Sequence, residues 1–277
     1  MTRILIIGCG YAGQRVAQRH LARGDTVIAT TRTGETPVEG VQDFALDLDA
    51  PSSALPAAQR VYYTAPPPSG GREDTRLVRC LEKLPVPEHF VYFGTTGVYG
   101  DRGGETVIET APLAPVDDRA RRRVHAEEWI SKWAESRACA ATLLRIAGIY
   151  GPDRLPLDRL LAGKPVPDPA DTGPGNRIHV DDLATAAVAI ADSGQGGTWN
   201  ISDGNPLPVA EFNDLVADAL DLPRPRRVPL ASPEITPGMR AFMASSRYVD
   251  NNKLLSLSGF SLQYPDPAAG IRASLIK

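Results

Sequence analysis

Cysteine is scarce in this chain: three in 277 residues, Cys9, Cys80 and Cys139. None forms a C-x-x-C pair and none is spaced as a metal ligand. That argues against a disulfide framework or a zinc knuckle, so no metal site is expected. It predicts reduced, packed thiols in a cytoplasmic protein. Only Cys9 stands where a reactive thiol would matter, inside a glycine-rich loop. Long apolar runs are also lacking. No stretch approaches the ~18 residues of a membrane helix, and the first apolar run is too short for a signal peptide. Nor is there a surplus of positive charge. Lys and Arg number 30 against 33 Asp and Glu, a net charge of −3, so nucleic acid meets no global basic field. What is present is ordinary for a globular protein with a real core: 42% hydrophobic and 23% charged residues. Arg far outnumbers Lys, and Pro and Ala are frequent, as in a GC-rich coding background.

The chain is organised around its first residues. Arg3-Ile4-Leu5-Ile6-Ile7 is an apolar run that ends in Gly8-Cys9-Gly10-Tyr11-Ala12-Gly13. Val16, Ala17, His20 and Leu21 then recur at helical spacing up to Arg23-Gly24. Strand, tight turn and helix therefore follow one another with glycines spaced G-x-G-x-x-G. Gly8 permits the turn, Gly10 lets a pyrophosphate approach the backbone, and Gly13 lets the helix lie close to the strand. The phosphates would face free N–H groups and the positive end of the helix dipole. Gly8, Gly10, Tyr11, Ala12 and Gly13 are the expected dinucleotide loop. The bland alternative is a glycine-rich turn without a ligand.

Asp25 to Thr31 reads as a second strand. An NAD site would place an acid about 20 residues past the glycines, and none occupies Ile28 through Thr33. Arg32, flanked by Thr31 and Thr33, instead offers a planar cation to a 2′-phosphate. The expected cofactor is NADP, in either redox form, rather than NAD. The alternative is a solvated loop charge. Val41 to Leu46 is a third strand, followed by Asp47, whose carboxylate either accepts from the adenine amino group or caps the turn before Pro51. Arg60 to Thr64 is strand four. It runs into Ala65-Pro66-Pro67-Pro68-Ser69-Gly70-Gly71, so Thr64, Ala65 and Pro66 are expected beside the cofactor. Asp74 to Leu84 reads as a helix and Phe90 to Phe93 as strand five. Strand and helix alternate, which predicts an α/β fold with a doubly wound parallel sheet.

Further motifs follow: Gly94-Thr95-Thr96-Gly97-Val98-Tyr99-Gly100, then Glu109-x-x-Pro112-x-x-Pro115, Leu144-Arg145-Ile146-x-Gly148-Ile149-Tyr150-Gly151-Pro152, and Ile178-His179-Val180-Asp181-Asp182-Leu183-Ala184. In this order, and with the glycine loop, they resemble the extended short-chain dehydrogenase/reductase family, which includes sugar-nucleotide epimerases and dehydratases. The resemblance covers nearly the whole chain and implies a Rossmann fold with a small, mostly helical C-terminal substrate lobe. It divides the chain into 1–150 and 151–277, interleaved, with a strand at 197–202 returning to the sheet. That family works with a Ser or Thr and a Tyr-x-x-x-Lys pair. The Ser/Thr position falls on Thr95. The Tyr position falls on Arg119 and the Lys position on Arg123, with Glu127 one turn further.

Arginine cannot act as a base at neutral pH, so the tyrosine-driven mechanism does not carry over. The pattern looks like the atypical members, which keep the nucleotide fold without that pair. Arg119, Arg123 and Glu127 share a helix face at i, i+4, i+8. Arg123 could hold the nicotinamide ribose, and Arg119 an anionic substrate or a developing oxyanion. The alternative is a solvated basic helix with an Arg123–Glu127 surface pair. Arg121 and Arg122 read as solvated. Tyr99 and Tyr150 are the remaining candidate proton donors, each equally readable as a packed ring. His179 reads as a buried structural histidine, with Asp181 or Asp182 capping the helix that follows.

In the second half, Pro156–Gly163 reads as a short helix, 164–175 as a loop, Thr198–Ser202 as a strand, and Val209–Leu220 as a helix. Residues 222–237 read as irregular, with short helices at 253–255 and 268–276. In sugar-nucleotide relatives an Arg stands three residues before the Ile of I-H-V. Here that position is Gly175, and Arg177 is out of register. Three functions follow in order of support. The first is an NADP-dependent oxidoreductase of the atypical short-chain type, acting on a small carbonyl or alcohol substrate, anionic if Arg119 grips it. The second is a non-catalytic NADP-binding redox sensor. The third is a sugar-nucleotide epimerase or dehydratase. A small molecule is the expected partner, and a homodimer is left open.

Overall fold

Ile4 through Ile7 of the first strand, β1 (Arg3–Ile7), are completely buried, as a central parallel strand covered on both faces requires. The computed structural model describes residues 1–51, 53–243 and 245–276. After β1 come α1 (Tyr11–Ala22), β2 (Thr26–Thr31), β3 (Gln42–Ala45), β4 (Arg60–Tyr63), α2 (Thr75–Lys83) and β5 (His89–Phe93). Then follow β6 (Thr106–Val107), α3 (Asp118–Arg137), β7 (Ala140–Ile146), β8 (Gly148–Tyr150), α4 (Leu157–Leu161) and β9 (Val166–Pro167). The chain ends with β10 (Arg177–His179), α5 (Val180–Ser193), β11 (Gly197–Ile201), α6 (Val209–Asp218), β12 (Arg227–Val228), α7 (Pro237–Met243), β13 (Tyr248–Val249), α8 (Asn252–Leu255) and α9 (Pro267–Leu275). Among the described residues no helix is long and apolar enough to cross a membrane.

Seven strands form one parallel sheet in the order β11-β7-β5-β4-β1-β2-β3. The chain runs outward from β1 to β3, returns to β4 on the other side of β1, and runs outward again. The order reverses between β1 and β4, and a ligand crevice opens there, beyond the carboxyl ends of the strands. Side chains alternate across the sheet. Ile4 and Ile6 pack with Val16, Ala17, Leu183 and Ala187 beneath α1 and α5. Leu5 and Ile7 pack with Leu77, Cys80, Ile130 and Trp133 beneath α2 and α3. Fully buried side chains of this kind contribute roughly 1.5–3 kcal/mol each. The α/β doubly wound fold is therefore as the sequence predicts.

Local details differ. Helix α1 begins at Tyr11, so the last glycine of the loop already lies within its first turn. His179, not Asp181 or Asp182, caps α5: its Nδ1 accepts from the Asp181 N–H at 3.2 Å. Asp182 is instead buried, and accepts from the backbone N–H groups of Gln263 and Tyr264 at 2.7 and 2.9 Å. It ties the C-terminal segment to α5. Helix α7 starts at the end of the stretch read as irregular, and β12 lies within it.

Candidate functional site

At the β1–α1 turn two glycines answer to the protein itself. Gly8 has φ +83°, and a Cβ there would lie 2.7 Å from that of Ala65. A Cβ on Gly13 would meet Thr64 Oγ1 at 2.9 Å and Ile6 Cγ2 at 3.2 Å. Gly10 is different. A Cβ there would meet nothing nearer than Gly8 O at 3.9 Å. Protein packing does not demand this glycine, and the open cradle is the shape a pyrophosphate needs. Gly10 caps α1 without a side-chain hydrogen bond, and no acid stands in the first turn. The leading N–H groups, at Tyr11, Ala12 and Gly13, lack helical partners and carry the positive dipole end. The residues present thus fit a dinucleotide phosphate. The Tyr11 hydroxyl donates to Pro152 O at 2.8 Å, and the Arg154 guanidinium stacks over its ring at 4.5 Å. Burial pushes that phenol up to about 12. Cys9 is not a reactive thiol: it is buried, and desolvation pushes it up to about 11.

The crevice continues between the loops after β2, β3 and β4. It is lined by Gly8, Thr30, Thr31, Arg32, residues 46–49, Ala65, Pro66 and Arg76. Arg32 is exposed on this wall, with no hydrogen-bond partner for its guanidinium among the described residues. The Thr31 hydroxyl accepts from the N–H groups of Gly34 and Glu35 at 2.9 and 3.0 Å. It shapes the loop that carries Arg32 rather than offering a free hydroxyl beside it. Thr33 is exposed. Asp47 Oδ1 accepts from Asp49 N at 2.9 Å, so that oxygen is a turn cap. Thr64 Oγ1 donates to Gly8 O at 2.6 Å and so holds the glycine loop to β4. Arg76 escapes sequence reasoning because no motif contains it. Its only signal is its place in the first turn of the helix that follows the switch-point strand.

At the end of β5, Arg123 donates to the Tyr92 hydroxyl at 2.9 Å and to Phe93 O at 3.2 Å. Thr95 lies two residues further on, half-buried. Its hydroxyl accepts from Gly97 N at 3.1 Å, which leaves its own O–H free to donate. Arg119 is one turn before Arg123 on α3, exposed and without a partner among the described residues. Arg121 pairs with Asp118 at 2.8 Å. Arg122 is not solvated: it is buried and donates to Gly71 O at 2.5 Å, under the proline loop.

The surface pair Arg123–Glu127 does not form. Glu127 is buried and accepts from Arg145, with Nη2 at 2.7 Å from Oε2. Arg145 also donates to the Tyr99 hydroxyl at 3.0 Å and to Glu109 O at 2.9 Å. Tyr99 in turn donates to Asn200 Oδ1 at 2.6 Å. Tyr99 is therefore no proton donor to a substrate: it is completely buried and its hydroxyl is fully used. Tyr150 is excluded for a different reason. It is buried between His179 and Phe212, and desolvation raises its pKa. Arg177 is turned inward as well, stacked on Phe212 at 4.2 Å and donating to Gly175 O and Leu207 O.

Comparison with known proteins agrees with the fold. The NAD dependent epimerase/dehydratase family matches residues 72–202. Protein YeeZ of Escherichia coli (strain K12) is 26% identical over 96% of this chain and 98% of its own length. A 3-diazoavenalumate denitrifying reductase from a Streptomyces species is 28% identical over 83% of this chain and 85% of its own. Among solved structures, the UDP-glucose 4-epimerase of Thermus thermophilus, in complex with NAD, superposes with a TM-score of 0.76. That alignment covers 98% of this chain and 97% of the other at 23% identity, a likeness of fold.

Proposed function

We propose that this member of the NAD-dependent epimerase/dehydratase family is an NADP-dependent oxidoreductase of the atypical short-chain type, acting on a small anionic carbonyl or alcohol. The observation that carries the reading is the crevice itself, which meets the glycine loop at Gly8, beside the open backbone of Gly10, and is walled by Arg32, whose guanidinium has no hydrogen-bond partner among the described residues. The glycine loop would hold the pyrophosphate, Arg32 the 2′-phosphate, and Arg123 the nicotinamide ribose. When bound there, the cofactor would supply or accept a hydride. Thr95 orients the carbonyl by donating its hydroxyl hydrogen. Arg119 carries a permanent positive charge on the same helix face as Arg123, and grips a carboxylate or phosphate bidentately. With no phenol at position 119, the charge on the substrate oxygen is met by Thr95 and the arginines, and the proton comes from solvent. The relative named as a reductase supports the redox reading.

Calorimetric titration of NADPH, NADP, NADH and NAD tests this, with Arg32→Ala alongside. The phosphorylated forms should bind at least ~10-fold tighter, about 1.4 kcal/mol, and the variant should lose that margin. NADPH oxidation with a panel of small anionic carbonyls should then show turnover. Absence of dinucleotide binding sinks the proposal.

A second reading has its own observation. Tyr99 and Tyr150 are sealed in the interior, so no tyrosine from those motifs reaches the crevice. That favours a redox sensor, which would bind NADP without turnover and change its affinity for a partner. The sugar-nucleotide reading is compatible with the family but lacks its diphosphate grip. A Cβ on Gly175 would lie 2.6 Å from Leu207 O, so this backbone has no room for an arginine there.

A further inference from the structure

We infer that Arg76 is the positioning residue of the adenosine end of the crevice. By clamping Asp49 to the Pro66–Pro67 backbone it fixes the width of the slot, and so the affinity for the adenosine half of either dinucleotide. This inference rests on the reading of the crevice as a nucleotide site.

The two walls of the slot come from separate loops. One follows β3 and carries Asp47 and Asp49. The other follows β4 and carries Ala65 and Pro66. Neither wall is held by sheet pairing. Prolines 66 to 68 have no N–H to donate, so that proline stretch of the second wall has only carbonyls with which to bond a neighbour. Arg76 supplies the donors. Its Nε lies 2.7 Å from Asp49 Oδ1 and its Nη2 2.6 Å from Asp49 Oδ2, a fork matched to a carboxylate. Its Nη1 reaches Pro66 O and Pro67 O, both at 3.4 Å. One guanidinium thus spans both walls. Arg79 adds a bond to Asp49 O at 2.7 Å. The clamp has a rigid base: Arg76 stands on the first turn of α2, whose buried cap Asp74 accepts from Leu77 N at 3.1 Å.

Stability does not explain this arrangement. The Arg76 side chain is 18% exposed but that of Asp49 is 47% exposed, and a pair whose carboxylate lies this open to water contributes little to folding. The fork does act on Asp49, since the Arg76 hydrogen bond holds its carboxyl below the usual carboxylate range. Arg32 and Arg76 therefore have different tasks on one crevice. Arg32 has no partner among the described residues and is free to meet a phosphate. Arg76 is committed to Asp49 and does not discriminate between cofactors. Preorganising a slot in this way tightens binding without adding a contact to the ligand.

The test is calorimetric binding of NADP, NAD, 5′-AMP and nicotinamide mononucleotide to the full chain and to Arg76→Met, Asp49→Asn and the double variant. Thermal melts confirm that each variant folds. Each single variant should weaken NADP, NAD and 5′-AMP by the same factor, roughly tenfold. Nicotinamide mononucleotide should be unchanged. The double variant should be no weaker than the weaker single, because the two residues act as one unit. Undiminished binding by both single variants overturns the inference while leaving the cofactor reading intact. Loss confined to NADP also overturns it, by making Arg76 a phosphate reader. If the unsubstituted protein binds none of the four, the cofactor reading fails and this inference with it.

Discussion

Arg123 stands 2.9 Å from the hydroxyl oxygen of Tyr92, with the same nitrogen 3.2 Å from Phe93 O. The cation is thereby anchored to the end of β5, beside the segment that bears Thr95. Burial raises the Tyr92 pKa, so the phenol stays neutral and serves as a fixed acceptor. Arg123→Met removes the anchored cation and leaves the buried Tyr92 oxygen without its donor. It should cost about 1–3 kcal/mol of stability and weaken both NADP and NAD by ~10-fold, or about 1.4 kcal/mol. Arg123→Lys should recover charge but not both bonds, and so fall between the two. Chemical denaturation and calorimetry on the three proteins check this. Unchanged affinity in Arg123→Met would remove Arg123 from the cofactor site.

Arg119 and Arg121 make a matched pair for testing the substrate grip. Both lie on the first turns of α3. Arg121 is bound to Asp118, and Arg119 has no partner among the described residues. Neither Arg119→Ala nor Arg121→Ala should move the melting temperature appreciably. Only Arg119→Ala should raise KM, and only for anionic substrates, with neutral analogues unaffected. A rise in KM with both variants would point to the general field of the helix rather than to a bidentate contact.

The first half of the fold is legible in the sequence because its signals are local. The apolar run of β1, the glycines of the turn and the helix that follows are all within a few residues of one another. The side-chain partnerships are not local. Helical spacing offers Glu127 to Arg123. The carboxylate turns inward instead, to Arg145 on β7, a residue whose approach depends on how β7 pairs with β5. Arg122 looks solvated among its charged neighbours until the proline loop folds over it. Asp181 and Asp182 are better capping residues by preference than histidine. Even so, β10 delivers His179 to the cap position, and Asp182 is drawn to the Gln263–Tyr264 backbone. Arg76 belongs to the same class, since its partners lie in two loops that sequence spacing does not bring together.

The buried phenols of Tyr99 and Tyr150 should respond in opposite ways to loss of the hydroxyl. Tyr99→Phe strips a donor from Asn200 Oδ1 and an acceptor from Arg145. It should destabilise the protein by about 1–3 kcal/mol. The Tyr150 hydroxyl is buried with no partner among the described residues. Tyr150→Phe removes an unsatisfied polar atom, so it should leave the melting temperature unchanged or raise it. Neither variant should shift the pH profile of turnover, because neither hydroxyl reaches the crevice. A lost or displaced pH limb in either one would return that tyrosine to the chemistry.

Asp203 and His179 should make stability depend on pH with opposite signs. Burial pushes the Asp203 carboxyl up to about 7, against the Asn205 N–H and Arg177, which lower it. Its Oδ2 has no partner among the described residues. An unfolded Asp titrates near 3.8, so between there and about 7 the folded chain holds the extra proton. Stability from this group is full at acid pH and falls as pH rises through that window. Burial pushes His179 down to about 4 from 6.5. Its contribution is full above 6.5 and is lost as pH falls toward 4. The shifts correspond to roughly 4 kcal/mol for Asp203 and roughly 3 kcal/mol for His179, and because each slope is one proton of opposite sign the two largely cancel between pH 4 and 6.5. Asp203→Asn removes one slope while its side-chain oxygen can still accept from Asn205 N. Relative to the parent it should gain stability at pH 8 over pH 5, and the acid loss owed to His179 should become visible. Thermal melts of both proteins from pH 4 to 8 measure the difference. A variant that tracks the parent at a constant offset would show that the buried carboxyl is ionised in both states.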